Sequence, residues 1–132
     1  MKIFTNGTFF LLHIGHINLF KQIKKMFPTD ELIVGINSND STYRLKKRKP
    51  IMDDIDRLDM ILSIKYVDNA YIFKEDTPYE LIKKINPDII IKGYDYNHSN
   101  IIGSDIANAT MTIKHYKNYS TTNIIEQIME NL

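Results

Sequence analysis

A chain of 132 residues with 43% hydrophobic and 25% charged side chains has the makings of one soluble domain, 1–132, and is too short for two. With no cysteine at all it holds no disulfide, thiolate zinc site or cysteine nucleophile, so any metal must use oxygen or imidazole ligands. A net charge of +1 argues against a long nucleic acid as partner, and no apolar run or leader pattern points to a membrane or to export; a cytoplasmic location is expected.

The first strand, Lys2-Ile3-Phe4, runs into Thr5-Asn6-Gly7-Thr8-Phe9-Phe10-Leu11-Leu12-His13-Ile14-Gly15-His16, where a glycine turn opens a helix. Gly7 permits a tight turn, and Gly15 removes side-chain bulk where a phosphate would approach a helix N-terminus. His13 and His16, three apart, share one face of the first helical turn. Such a pair suits an anion, binds metal, or sits as satisfied polar groups beneath a loop; the glutamate of a zinc-protease His-Glu-x-x-His motif is missing.

Helix one is expected from about Gly15 to Met26, its apolar residues three or four apart, with Pro28 closing it. Strand two is Glu31 to Asn37, a continuous apolar run of the kind buried on both faces. Ser38 to Ser41 and the dense Arg44-Leu45-Lys46-Lys47-Arg48-Lys49 segment read as a basic loop ended by Pro50. Standing alone, that segment is equally a solvated loop or a nucleic-acid contact; in a balanced chain it fits a small, highly charged ligand.

Helix two is expected over Asp53 to Ile64, and strand three from Tyr66-Val67 to Ile72-Phe73. Thr77 then caps a helix that Pro78 begins and Asn86-Pro87 breaks. Strand four is Asp88 to Lys92, followed by Gly93-Tyr94-Asp95-Tyr96. A short helix around Ile101 to Ala107, strand five from Met111 to Tyr116, and a last helix after Tyr119-Ser120-Thr121-Thr122 complete the chain. Alternating strand and helix predicts an α/β fold, a single Rossmann-like domain whose five-stranded parallel sheet carries helices on both faces. In such sheets ligands collect at the carboxyl ends of the strands, where these loops fall.

Gly7 to His16 resembles the Gly-x-Phe-Asp-x-x-His-x-Gly-His motif of the cytidylyltransferase-like nucleotidyltransferases, and Ser120-Thr121-Thr122 resembles their Ser-Thr-Thr motif. Within that superfamily the chain is most similar to the adenylyltransferase domains of ADP-heptose synthases. The similarity runs from Ile3 to Ile128 and includes Phe4-Thr5-Asn6-Gly7, Glu75-Asp76-Thr77-Pro78 and Lys92-Gly93-Tyr94-Asp95-Tyr96. Glycerol-3-phosphate cytidylyltransferases share the first motif and the basic loop.

The resemblance implies transfer of a nucleotidyl group, AMP in preference, from a nucleoside triphosphate to a sugar phosphate such as heptose 1-phosphate, with release of pyrophosphate. His13 and His16 would hold the triphosphate, Lys46 and Arg57 would neutralise the departing pyrophosphate, and Ser120, Thr121 and Thr122 would surround the β- and γ-phosphates. Gly7, Thr8 and Phe9 would make backbone contacts near the α-phosphate, and Gly93 and Asp95 would line the ribose or base. Thr5, Gly15 and Tyr119 complete the implied nucleotide-binding set. Two alternatives stand beside these roles: an ion pair of Arg57 with Asp53 or Asp54, and a turn cap for Asp95. Magnesium is expected with the triphosphate, and a homodimer is expected, with Tyr66 and Tyr71 available for its interface. The kinase domain that often accompanies such domains is not expected in this chain, so the resemblance implies that the phosphorylated sugar would come from another protein.

Departures are specific. Phe10 stands where the family has aspartate, His115 where glycerol-phosphate enzymes have arginine, and Asn118 where glycine is usual. Two further readings remain open: a glycerol-3-phosphate cytidylyltransferase using CTP, and a nucleotide-binding regulator without catalysis.

Overall fold

The computed structural model describes residues 1–93, 100–117 and 119–132. The elements among the described residues are β1 (Lys2–Gly7), α1 (Ile14–Met26), β2 (Glu31–Asn37), α2 (Asn39–Lys46), α3 (Asp54–Leu62), β3 (Asn69–Phe73), α4 (Tyr79–Ile85), β4 (Ile89–Gly93), β5 (Ala109–Ile113) and α5 (Thr121–Glu130). All strand pairings are parallel, in the order β3-β2-β1-β4-β5. The chain builds outward from β1 through β2 to β3, then returns to the other side of β1 with β4. The crevice between the carboxyl ends of β1 and β4 is therefore the point where strand order reverses, the place such sheets bind ligands.

Side-chain alternation along the strands divides the apolar residues between two cores. Ile3, Leu32, Val34, Ile36, Ile89 and Ile91 face the first, where Phe20 and Ile23 of α1 and Ile61 of α3 cover them. Phe4, Ile33 and Ile90 face the second, covered by Ile82 and Ile85 of α4 and by Ile101. Burying a side chain such as Phe20 stabilises by about 1.5–3 kcal/mol, which is why the buried positions of the central strands are mostly β-branched or aromatic. Near the cleft, α5 is different: none of its ten residues is buried.

The basic segment differs from the expected loop. Ser38 caps a helix there, its hydroxyl accepting from the Ser41 amide at 3.2 Å, and α2 ends only at Lys47, whose φ of 59° gives a left-handed C-cap. Polar residues made the segment look unstructured, yet Ser41 and Thr42 are buried. The Ser41 hydroxyl accepts from the Asn37 side chain at 2.9 Å and donates to the Glu75 carbonyl at 2.7 Å. These bonds fasten α2 to the sheet without an apolar stripe.

Smaller shifts have local causes. β3 starts at Asn69 because Ile64 to Val67 close a turn through a Val67–Ile64 backbone bond at 3.0 Å. Thr77 makes no capping bond; the N-cap of α4 is Pro78. The residues from Ile101 to Ala107 form turns centred on the Gly103 carbonyl, which accepts from Ile106 and Ala107, and not the expected helix. β5 comes two residues early because the Ala109 amide bonds to the Asp88 carbonyl and locks it to the start of β4. Among the described residues no helix is long and apolar enough to cross a membrane.

Candidate active site

At the β1–β4 crevice lies a cleft of about 640 Å³, bordered by the β1–α1 turn, the C-terminal end of α2, the ends of β4 and β5 and the start of α5. Its histidine wall is a helix cap. His13 is the N-cap of α1, and its Nδ1 accepts from the Gly15 amide at 3.0 Å. Reciprocally, the His13 amide donates to Nδ1 of His16 at 3.1 Å. Both Nδ1 atoms are thus used as acceptors, which assigns the proton of each neutral ring to Nε2. Burial, then the neighbouring His115, holds the His13 pKa below the ordinary histidine value. Burial, then His13 with its ring centroid 3.9 Å away, pushes His16 down to about 3. The pair therefore presents two fixed N–H donors rather than two cations.

The neighbouring residues hold that geometry. A Cβ on Gly15 would lie 2.7 Å from Cε1 and 2.9 Å from Nδ1 of His13, so the space this glycine leaves is taken by the imidazole and not by the phosphate expected from sequence. Phe9 has φ of 48°, a left-handed conformation costly for an aromatic residue. Its ring is buried, 5.1 Å edge-on from the His16 ring and 6.0 Å from Phe20. The backbone of the loop thus turns past the cleft while the Phe9 ring braces His16 from the core.

Across the cleft, Ser120 caps α5, accepting from the Asn123 amide at 3.0 Å, and Thr121 donates to the Leu11 carbonyl at 3.4 Å. Ser120, Thr121, Thr122 and Tyr119 all border the cleft, as do Gly7, Thr8, Phe9, Gly15 and Gly93. Two helix N-termini, of α1 and α5, therefore open onto one space, and both carry the partial positive charge and N–H groups that attract anions. Lys46 reaches the same space from the last turn of α2. Arg44 is engaged elsewhere, with Asp76 at 2.5 Å and the Lys74 carbonyl at 2.6 Å. Phe10 is nearly buried in the cleft wall, and the Arg48 guanidinium covers its ring at 5.3 Å.

Not every expected residue is there. Thr5 is buried within β1 and is not among the lining residues. Arg57, expected to meet pyrophosphate, is 1% exposed and lies behind the loop. Its Nη1 donates to the carbonyls of Thr8 at 2.6 Å and Asn37 at 2.7 Å, Nη2 to the Asn39 side chain at 3.1 Å and Nε to the Met52 carbonyl at 3.0 Å. Neither is it ion-paired with Asp53 or Asp54, whose charges act on it only through space. Asn39 and Asp54 exchange backbone-to-side-chain bonds at 3.0 and 2.9 Å, so the guanidinium sits in a prebuilt ring of acceptors. Asp95 lies outside the described residues, as does Asn118.

Sequence reading passed over Asn6 and Lys92, which face each other at the cleft floor, the Lys92 ammonium donating to the Asn6 side chain. The available signal was a lysine closing an otherwise uninterrupted Ile89-Ile90-Ile91 run.

Fold and site together define a Rossmann-like α/β domain whose cleft, bordered by two helix N-termini, lies where strand order reverses. Residues 4–127 match the family described as Cytidylyltransferase-like. Among curated relatives, the bifunctional protein HldE of Nitratiruptor sp. is 45% identical over 127 residues, 96% of this chain and 27% of that protein. Its counterpart in Aliarcobacter butzleri is 41% identical over 130 residues, 98% of this chain and again 27% of that protein. The chain thus spans about a quarter of the length of these relatives. A crystal structure of the lipopolysaccharide core biosynthesis protein from Thermoplasma volcanium superposes with a TM-score of 0.73 at 33% identity, covering 89% of this chain and 98% of that one. The chain belongs to the cytidylyltransferase-like family and is a nucleotidyltransferase domain related to HldE.

Proposed function

We propose that the domain transfers AMP from ATP to a sugar phosphate, with heptose 1-phosphate the favoured acceptor. The observation that carries this reading is the convergence of two helix N-termini, two Nε2–H imidazoles and Lys46 on one crevice. That set matches a triphosphate, whose charge shifts onto the pyrophosphate during reaction. An oxygen of the acceptor phosphate attacks the α-phosphorus; the bond from that phosphorus to the bridging oxygen breaks, and pyrophosphate leaves with the electron pair. No covalent bond to the protein is needed, so catalysis is positioning and charge stabilisation.

In this scheme His13 and His16 donate to phosphate oxygens, Lys46 offsets charge on the leaving group, and Ser120, Thr121 and Thr122 hold its far end. Gly7, Thr8 and Phe9 offer backbone groups near the α-phosphate, and Gly93 borders the nucleoside. Arg57 acts one step removed, by fixing the Thr8 carbonyl. Among the described residues no cluster of three potential metal ligands exists, and the cleft-lining carboxylate of Asp76 is bonded to Arg44. In this proposal magnesium accompanies the triphosphate and shields its charge. A homodimer acting in the cytoplasm is part of the same proposal.

Pyrophosphate release, assayed with ATP and CTP against a panel of sugar and polyol phosphates, tests it. Release with ATP and a heptose or related sugar 1-phosphate supports the reading. Release only with CTP and glycerol 3-phosphate replaces it with the cytidylyltransferase alternative. Nucleotide binding without release on any acceptor makes Phe10, an apolar wall where the family carries a carboxylate, the mark of a regulator.

A further inference from the structure

β4 is an apolar strand that ends on a charge. Ile89, Ile90 and Ile91 are buried in the two cores, and Lys92, still paired with Thr112 of β5, is only 7% exposed. Its ammonium nevertheless reaches the cleft, donating to the Asn6 side chain and, at 3.5 Å, to the Asn6 carbonyl. The roles described above make no use of it. Burying an ammonium at the end of a central strand is costly, and burial lowers its pKa from 10.5 to about 7.

Its place relative to the other groups is informative. Lys92 directly precedes Gly93 in β4 and bonds to Asn6, the residue before the Gly7–Thr8 turn that leads to the two histidines; all of these residues border the cleft. A nucleotide with its nucleoside at Gly93 and its outer phosphates at the starts of α1 and α5 carries its first phosphorus across the β1–β4 seam, over this ammonium. We propose that Lys92, held by Asn6, binds the α-phosphate of the nucleotide, the group undergoing transfer. This rests on the nucleotidyltransferase reading of the cleft. An anion at short range in a poorly solvated site strengthens the protonated form, so binding and charging of Lys92 support one another. Asn6 fixes the ammonium at the cleft floor, and in this assignment the outer phosphates fall to Lys46 and the helix N-termini.

The test uses the full chain with Lys92→Met, which preserves length and apolar packing, and Lys92→Arg. AMP, CMP and the matching nucleosides are titrated by calorimetry, and pyrophosphate release is measured in parallel. Expected for Lys92→Met are a loss of about tenfold or more in monophosphate affinity, nucleoside affinity within about twofold of wild type, and turnover lowered about a hundred-fold. Lys92→Arg recovers part of the monophosphate affinity, since its charge is retained.

Unchanged monophosphate affinity in a folded Lys92→Met overturns the assignment. So does an equal loss for nucleoside and monophosphate, which makes Lys92 a structural support. A wild-type protein that binds nucleotide but turns over no acceptor ends the transferase reading alone, and the monophosphate-to-nucleoside ratio still decides Lys92. A wild-type protein that binds neither ends both.

Discussion

Replacing Arg57 with lysine keeps a positive charge and removes a fork, which separates a phosphate-binding arginine from a structural one. The native guanidinium serves four acceptors at 2.6 to 3.1 Å: the carbonyls of Thr8, Asn37 and Met52 and the side-chain oxygen of Asn39. A lysine ammonium is a compact point donor on a differently shaped stem and reaches two of them at most, so at least two of the four bonds are lost, although the Asn39 oxygen keeps the Asp54 amide and the Asn37 carbonyl keeps the Thr42 hydroxyl. A hydrogen bond from a charged donor contributes about 1.5–3 kcal/mol, and because two of the acceptors keep another donor the loss of two bonds falls at the lower end, about 3 kcal/mol. For a domain of this size that lowers the melting temperature by roughly 10 °C. Urea unfolding of Arg57→Lys at pH 7, with pyrophosphate release measured well below the new melting point, gives both readouts. The expected result is a large stability loss with a smaller fall in turnover, through loosening of the Thr8 loop. Stability within about 1 kcal/mol of wild type, combined with a turnover loss of about a hundred-fold, would refute the structural role and restore Arg57 to the pyrophosphate.

Gly15→Ala drives a methyl into the His13 ring. It should cost about 1 kcal/mol through loss of the helix cap, visible in urea unfolding, and about a hundred-fold in turnover. Wild-type turnover would show that the His13 position is immaterial. Because folding lowers the His16 pKa from 6.5 to about 3, the unfolded chain takes up a proton that the folded one refuses. The resulting stability is complete above about pH 6.5 and is lost as pH falls towards 3, about 2 kcal/mol of it between pH 7 and 5. Unfolding measured across that range should show this slope in wild type and a flatter one in His16→Asn. Lys46 is exposed, so Lys46→Ala should unfold like wild type, within about 0.5 kcal/mol, yet lose about a hundred- to a thousand-fold in turnover. An unaltered rate would remove Lys46 from the site.

What sequence patterning captured is what period and punctuation encode: the five parallel strands, helix α1 from its apolar spacing, and the convergence of the β1–α1 turn and Ser120–Thr122 on one sheet edge. It failed where polar atoms do the packing. Helix α2 carries almost no apolar stripe, so its fastening through Ser41 and Asn37 has no periodic signature. The burial of Arg57 depends on carbonyls contributed from β2, the Thr8 loop and Met52, which no local window contains. Phe9 shows the same limit: the backbone role read from the motif says nothing of a left-handed residue whose ring props up His16.

The absence of buried side chains on α5 has a consequence for energetics. The β1–α1 wall of the cleft is welded to the sheet by Phe20 and Ile23, whereas the wall carrying Ser120 to Thr122 rests on half-exposed isoleucines and on polar contacts such as that from Thr121 to the Leu11 carbonyl. Local opening free energy follows buried contact, so α5 undocks far more readily than the central strands β1, β2 and β4. A ligand that bonds to the docked helix alone shifts that equilibrium, and part of its intrinsic affinity is consumed in closing the wall. Amide-exchange protection in α5 is therefore the lowest of the well-formed helices in the free protein and rises most on nucleotide binding, which makes this helix the natural reporter of occupancy.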